Sequence, residues 1–470
     1  LHNDDVKNNI FKVAVFLFSW ILILIFYITY IQIVMGTEIS NHPLNKRNTE
    51  YASNIQRGNI IAYDGTILAY SEKKLDGGYI RKYPLKEITA HIVGFESAKL
   101  GNTGIEAGYN SYLSGTGEFN THWGAIQKLI KKEHGYNIVL TIDTKLQEIA
   151  ARSLGDRNGA IIVLNPKNGA ILAMVSRPGF DPNSIDQSWD KIQNDTSAVL
   201  LNRGTQGLYP PGSIFKTVIL EAALTEDKNI VNATFNCPGY LKISDDYTLF
   251  EDHHAVHGNL SLKEALTVSC NTTFATLALK LGPTKLDAAF QRFGFGKALE
   301  SKDFTESQIK LPPLGELNNG DLSQIGIGQG QLLVTPLRMA LVTSAFANNG
   351  TIMRPHLLHE IRTVDGDIIK EFHNEKWLEV TNKETSNIIS EFMESVVQNG
   401  TGSAARIQNI RVAGKTGTAE NSQGQSHAWF IGFAPLESPE IVVVVLVENS
   451  GSGGKVAAPI AKKIISSALK

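Results

Sequence analysis

The chain has 470 residues, of which 42% are hydrophobic, and a formal net charge of -2. That is enough for a large core and more than one domain, and the mixed charges give no overall field to gather nucleic acid, which argues against such a partner. Two cysteines, Cys237 and Cys270, are too few for a disulfide framework and are not at zinc-ligand spacing with each other, so no metal and no other cofactor is expected; their positions alone leave open whether they pair.

In chain order, the first element is an apolar run over residues 13–34, with no charge between Lys12 and Glu38. As a helix it would be roughly 33 Å long, enough for a hydrocarbon layer of ~30 Å. Residues 13–36 are therefore expected to anchor the chain in a membrane, after a short tail over residues 1–12. The run is longer than a signal-peptide core and no small-x-small cleavage site follows, which favours an uncleaved anchor. Lys7 and Lys12 before it and Lys46 and Arg47 after it nearly balance, so charge alone does not orient it.

Residues 37–135 read as a strand-rich pedestal. Ile60 to Tyr63 and Thr66 to Ala69 flank Asp64-Gly65, a hairpin signal in which Asp-Gly supplies positive φ angles. Ile105, Tyr109, Tyr112 and Leu113 have helical spacing and would share one face. Near Gly135 the texture changes, and residues 136–470 read as a second domain. It opens with a strand over residues 137–142, and a helix capped by Asp143 and ended by Gly155. Residues 159–164 and 170–175 form a buried hairpin, whose sheet gains strands near residues 410–418, 427–433 and 441–447 around a helical insertion. A last helix over residues 456–469 packs on that sheet, and residues 451–454 read as a flexible turn. The class is α+β, with a central, mainly antiparallel sheet flanked by helices.

Three short motifs follow one another: Ser213-Ile-Phe-Lys216, Ser269-Cys-Asn271 and Lys415-Thr-Gly-Thr418. Each alone has a bland reading as a helix start, a cap or a turn. Pro210-Pro211-Gly212 brings Ser213 to a helix N-terminus, where unpaired N–H groups can face an oxyanion, with Lys216 one turn on as the base that activates its hydroxyl. Such a base must be neutral, and burial with a second cation, Lys415, would lower its pKa. Ser261-x-x-Glu264 opens the helix before the second motif, and Phe274, Leu277, Ala278 and Leu281 stripe the one after. From the loop between them Ser269 would relay a proton and Asn271 would hold a peptide backbone, with Cys270 turned into the core. On a strand, Thr416 and Thr418 share a face and suit a carboxylate, Gly417 admits a substrate backbone, and Lys415 must curl round the edge. The N–H groups of Ser213 and Thr418 would form the oxyanion hole. Asp252-His253-His254 and His257 read as a polar loop near the cleft and not as metal ligands.

The ordered motif set resembles the penicillin-binding proteins, and the whole chain resembles their class B members. The resemblance extends to Arg57-Gly-Asn-Ile60 with Asp64 and Gly65, Gly104-Ile-Glu106 with Tyr109 and Leu113, and Gly328-Gln-Gly330 followed by Thr335-Pro336. Gly400-Thr-Gly402 and Ala428-Trp-Phe-Ile-Gly-Phe433 also fit it. It implies a β-lactamase-like serine D,D-transpeptidase domain on a pedestal of dimerisation-domain type. It further implies Ser213 attack on the D-Ala-D-Ala end of peptidoglycan stem peptides, cross-linking of nascent glycan strands, acylation by β-lactam antibiotics, and a catalytic domain outside the membrane. Partners would be a membrane glycosyltransferase and other wall-synthesis proteins. A D,D-carboxypeptidase or β-lactamase would use the same motifs with water, and a β-lactam sensor or silent scaffold is the non-enzymatic alternative. Cys270 replaces the aspartate of class A β-lactamases, and no Glu-x-x-Leu-Asn segment is present, so β-lactam hydrolysis should be slow.

Overall fold

The computed structural model describes residues 2–35, 56–75, 77–115, 134–421 and 424–470. It divides into two units, Leu1–Gln56 with Lys73–Ile80, and Arg57–Glu72 with Arg81–Lys470. In the first, a helix runs over His2–Tyr30, so the expected tail is helical too, and a five-residue π turn, Ile31–Met35, follows. Its stretch Val6–Tyr30 has a mean hydropathy of 2.4 and is, among the described residues, the one helix long and apolar enough to cross a membrane. Ser19 and Thr29 donate back to Val15 O (2.9 Å) and Ile25 O (2.7 Å), which satisfies their hydroxyls inside the helix as hydrocarbon surroundings demand. Residue 36 of the expected anchor and the cations Lys46 and Arg47 lie outside the described residues.

In the second unit, the hairpin forms as its sequence predicts: Ile60 pairs with Ala69 and Ile61 with Ile67. Of the turn pair only Gly65 takes a positive φ, 84°. Asp64 contributes its carboxylate instead, accepting from Thr66 N at 3.0 Å and Thr144 N at 3.1 Å. The expected Ile105-to-Leu113 helix is two short ones, Gly104–Gly108 and Asn110–Leu113, joined at Tyr109. Ile105 and Leu113 are nevertheless fully buried. Beside them Glu106, also fully buried, accepts from Arg57 (2.7 Å) and Arg81 (2.6 Å), a pairing without which its charge would be left in the core. The strand Asn137–Leu140, read as the start of the second domain, pairs with Ile60–Ile61 in the pedestal sheet and, on its other side, with Leu358–Arg362. Tyr109 donates to Asp303 at 2.5 Å, and Asp303 accepts from Leu357 N at 2.6 Å, so the irregular segment that carries Asp303 links the short helices of the pedestal to the start of Leu358–Arg362.

The central sheet is antiparallel throughout, in the order Ala413–Ala419, His427–Ala434, Ile441–Val447, Gly159–Leu164, Ile171–Arg177. Strands from both ends of the domain meet because the apolar runs Gly159–Leu164 and Ile441–Val447, buried at every position, need cover on both faces. Val443 and Val445 pack under Thr144–Leu154 and the C-terminal helix Ala457–Ala468, while Val442, Val444 and Leu446 face the helical insertion. Each such side chain contributes roughly 1.5–3 kcal/mol of burial. The insertion includes Lys216–Glu226, Asn271–Arg292, Pro336–Ala347 and Lys383–Asn399. With Ala413–Ala419 at its edge, the sheet presents the third motif beside the helices that carry the first two.

Candidate active site

Ser213 lies in a 3-10 turn, Gly212–Phe215, one turn before the α-helix that starts at Lys216, and not at the α-helix start itself. Backbone crowding fixes that turn. Trp429 Nε1 donates to Pro210 O at 3.1 Å, and Gly212 N donates to Gly328 O at 2.8 Å. Gly212 has φ +58°, and a Cβ there would stand 2.8 Å from Thr418 O. A Cβ on Gly328 would meet Gly212 O at 2.0 Å, the physical reason for the first glycine of Gly328-Gln-Gly330. The nucleophile turn is thus wedged between that segment and the edge strand.

Lys216 and Lys415 are both fully buried and both donate to one hydroxyl, Ser269 Oγ, at 3.2 and 2.9 Å. Ser269 is the C-cap of Leu262–Val268 with φ 63°, a strained conformation for a serine, and it turns the chain so that Cys270 N-caps Asn271–Arg292. The capping box of Ser261 and Glu264 and the buried stripe of Phe274, Leu277, Ala278 and Leu281 are as the sequence predicts. Lys216 also donates to Ser269 O (2.6 Å) and Asn271 Oδ1 (2.7 Å); among the described residues none of its bonds goes to Ser213. Asn271 is therefore engaged with Lys216 through its oxygen, and through its amide nitrogen with Asp252 (3.1 Å). Burial pushes Lys216 down to about 8, against the pull of Glu251, Cys270 and Asp252. Burial, then the charge of Lys216, push Lys415 well below its ordinary value.

Lys415 shares a strand face with Ala413 and Ala419, which pack toward the helical layer, so its ammonium reaches Ser269 directly and the expected detour round the edge is unnecessary. Thr416 Oγ1 is 2.6 Å from Thr401 Oγ1, and Thr418 is exposed. A Cβ on Gly417 would crowd the Ile214 side chain at 3.0 Å and Pro211 O at 3.1 Å. The turn over residues 451–454 packs there as well, since a Cβ on Gly453 would meet Gly417 O at 2.3 Å; it is part of the site and not merely a flexible link. Ser213, Ser269, Thr416, Thr418, Thr401, Asp252, His257, Ser452 and Gly454 line one cleft of about 230 Å³.

Glu251 belongs to none of the three motifs. It is buried and accepts from Asn271 N (2.9 Å) and Thr272 N (2.6 Å), capping the helix that carries the second motif. Burial would raise its carboxyl, but those N–H groups outweigh it and hold it below the ordinary value. Thr401 was legible only as the centre of Gly400-Thr-Gly402. Both cysteines are free and buried, and Cys270 turns into the core as predicted. His253 and His254 are exposed, both at φ 54°.

The family described as the penicillin-binding protein transpeptidase domain matches residues 159–466, and the penicillin-binding protein A dimerisation domain matches residues 57–138. The peptidoglycan D,D-transpeptidase PbpA of Mycolicibacterium smegmatis is 31% identical over 99% of both chains. Penicillin-binding protein A of M. tuberculosis, solved as an imipenem acyl-enzyme complex, superposes with a TM-score of 0.83 at 29% identity, covering 90% of this chain and 100% of that one. The D,D-transpeptidase domain of a peptidoglycan glycosyltransferase from Eggerthella lenta gives 0.81 at 34% identity, covering 88% and 98%. With both of its domains matched and the three motifs gathered round one cleft, the chain belongs to the class B penicillin-binding proteins.

Proposed function

We propose that this protein is a membrane-anchored D,D-transpeptidase that cross-links peptidoglycan through an acyl-enzyme on Ser213, held by its N-terminal helix with the catalytic domain on the outer side of the membrane. The observation that carries the reading is the Ser269 hydroxyl accepting from two buried lysines beside Ser213, Thr416 and Thr418. As an ammonium, Lys216 uses its donors on Ser269 O, Ser269 Oγ and Asn271 Oδ1. A neutral amine has one donor fewer and a lone pair, which takes the Ser213 proton as the serine oxygen attacks the penultimate D-Ala carbonyl. The N–H groups of Ser213 and Thr418, whose backbones the Gly212 contact brings together, hold the oxyanion. Ser269 passes a proton to the leaving D-Ala amine, and Lys415, Thr416 and Thr418 hold its carboxylate. An amine on a neighbouring stem peptide then attacks the ester, and β-lactams stop at the first step.

The test is product analysis. Full-length protein in detergent is incubated with a donor peptide ending in D-Ala-D-Ala, with and without an added amine, and D-Ala release and product masses are followed. The proposal expects the amine adduct to dominate when amine is present. Hydrolysed donor alone would make the enzyme a carboxypeptidase, and unchanged donor would make it a scaffold.

A further inference from the structure

Four residues before Ser213, the buried Tyr209 donates its hydroxyl to Glu448 Oε1 at 2.6 Å. The same oxygen accepts from Arg203 Nε at 2.8 Å, in an ion pair whose side chains are only 6% and 15% exposed. Arg203 also donates to Ser197 O (2.7 Å) and Ala198 O (3.2 Å), so its guanidinium is fixed by backbone as well as by the carboxylate. Arg203, Tyr209 and Glu448 belong to none of the three motifs and are not among the residues lining the cleft. They converge nonetheless on the segment that delivers the nucleophile.

Glu448 stands at a branch point. It directly follows Ile441–Val447, the middle strand of the five, and its own N–H donates to Asn158 O at 2.8 Å. Beyond it the chain enters the loop of Ser452 and Gly454, which line the cleft; Ser450 N (3.0 Å) and Gly451 N (2.8 Å) tie that loop to Ser426 O. From its side chain the other branch runs through Tyr209-Pro210-Pro211-Gly212 to Ser213, with two prolines of fixed φ in between. The Tyr209 ring stands edge-on to His427 (5.5 Å) and Trp429 (6.2 Å), contacts that tolerate sliding, whereas a phenol bonded to a carboxylate is directional and charge-assisted. Burial, then the charge of Glu448, push the Tyr209 phenol well above its ordinary value, so it stays a donor. Burial lowers His427, whose Nδ1 accepts from Asn449 N at 3.1 Å, so that ring brings no competing charge.

We propose that Glu448 is a positioning residue for acyl transfer: through the Tyr209 hydroxyl it sets where the Ser213 turn stands against the Ser452 and Gly454 loop, with Arg203 holding the carboxylate in place. Attack requires the reacting atoms about 3–3.5 Å apart and aligned, and a displacement of ~1 Å costs up to about a hundredfold in rate. One oxygen on the middle strand thus fixes both branches to the same point of the sheet. The proposal rests on the transpeptidase reading, with Ser213 as nucleophile.

The experiment follows full-length protein in detergent with a fluorescent penicillin at a series of concentrations, which separates the acylation rate constant from the dissociation constant of the complex that precedes it. Rates are counted per molecule that labels at long times, so unfolded protein drops out, and thermal melting is recorded alongside. Tyr209→Phe keeps the ring against His427 and Trp429 but loses the hydroxyl. Its acylation rate constant should fall at least about tenfold while the dissociation constant stays within about twofold. Glu448→Gln keeps an oxygen that accepts from Tyr209 and should stay within about threefold of the parent. Glu448→Ala removes that oxygen and should be as slow as Tyr209→Phe, and the double variant of Tyr209→Phe and Glu448→Ala should be no slower than Glu448→Ala, because both remove one bond. If Glu448→Ala fails to fold, Tyr209→Phe and Glu448→Gln decide. A Tyr209→Phe protein that acylates at the parent's rate overturns the positioning role even if it melts lower, since a merely structural bond moves stability alone. A loss confined to the dissociation constant, or Glu448→Gln as slow as Tyr209→Phe, overturns it too. A parent that never labels overturns the transpeptidase reading itself, an outcome distinct from any of these.

Discussion

Asp252→Asn should move the pH profile of Ser213 acylation toward acid. Lys216 has an ordinary value of 10.5, which burial pushes down to about 8 while the Asp252 carboxylate pulls it up. The acting base is the neutral amine, so acylation is gained as the pH rises through about 8 and lost below it. The neutral fraction is about one half at pH ~8 and about one hundredth at pH ~6, so the parent's second-order rate constant should fall roughly fiftyfold between them. Asparagine keeps an oxygen that accepts from Asn271 Nδ2, now 3.1 Å from Asp252, but removes the charge. The midpoint should then drop by roughly half a unit, and at pH ~6 the variant should acylate about threefold faster than the parent. Rates come from time courses with a fluorescent penicillin, each sample also being returned to pH ~8 to exclude unfolding. A flat parent profile between those pH values, or a midpoint that moves toward alkali in the variant, would refute the assignment of Lys216 as the base.

Three further outcomes follow from the same geometry. Ser269→Ala removes the acceptor shared by Lys216 and Lys415 and should lower D-Ala release roughly a hundredfold in kcat, with KM nearly unchanged, in a steady-state peptide assay. Gly212→Ala forces a side chain to φ +58° and 2.8 Å from Thr418 O; it should cost about 1–3 kcal/mol in denaturant unfolding and slow acylation at least about tenfold. Asp303→Ala leaves Tyr109 and the N–H groups of Leu357 and Leu358 unpaired, and should lower stability by about 2–4 kcal/mol while the acylation rate of the folded protein holds.

What the sequence disclosed was mostly local. The capping box at Ser261 and Glu264, the Asp143 cap and the valine-rich strand Ile441–Val447 are set by residues a few positions apart, so pattern alone locates them. Ser213, Lys216, Ser269 and Lys415 were legible because the motif order is distinctive, although their bonding was not. That Lys216 bonds Ser269 and Asn271 depends on a loop turned by the left-handed Ser269. Glu251 was invisible because its role, capping the Asn271–Arg292 helix, is made by contacts about twenty residues away and carries no local signature. Gly453 carries the local pattern of a linker residue, and its close packing comes from Gly417 and Trp429, which are distant in sequence. The strand Asn137–Leu140 went to the pedestal sheet because its partners, Ile60–Ile61 and Leu358–Arg362, come from either side of the apparent boundary.

The central claim is that Ser213 carries the acyl group, and peptide mapping of penicillin-treated protein tests it most directly. The account predicts one adduct of the intact β-lactam mass on the peptide containing Ser213, persisting for hours, and none in Ser213→Ala. An adduct on any other residue, or undiminished labelling of Ser213→Ala, would contradict it.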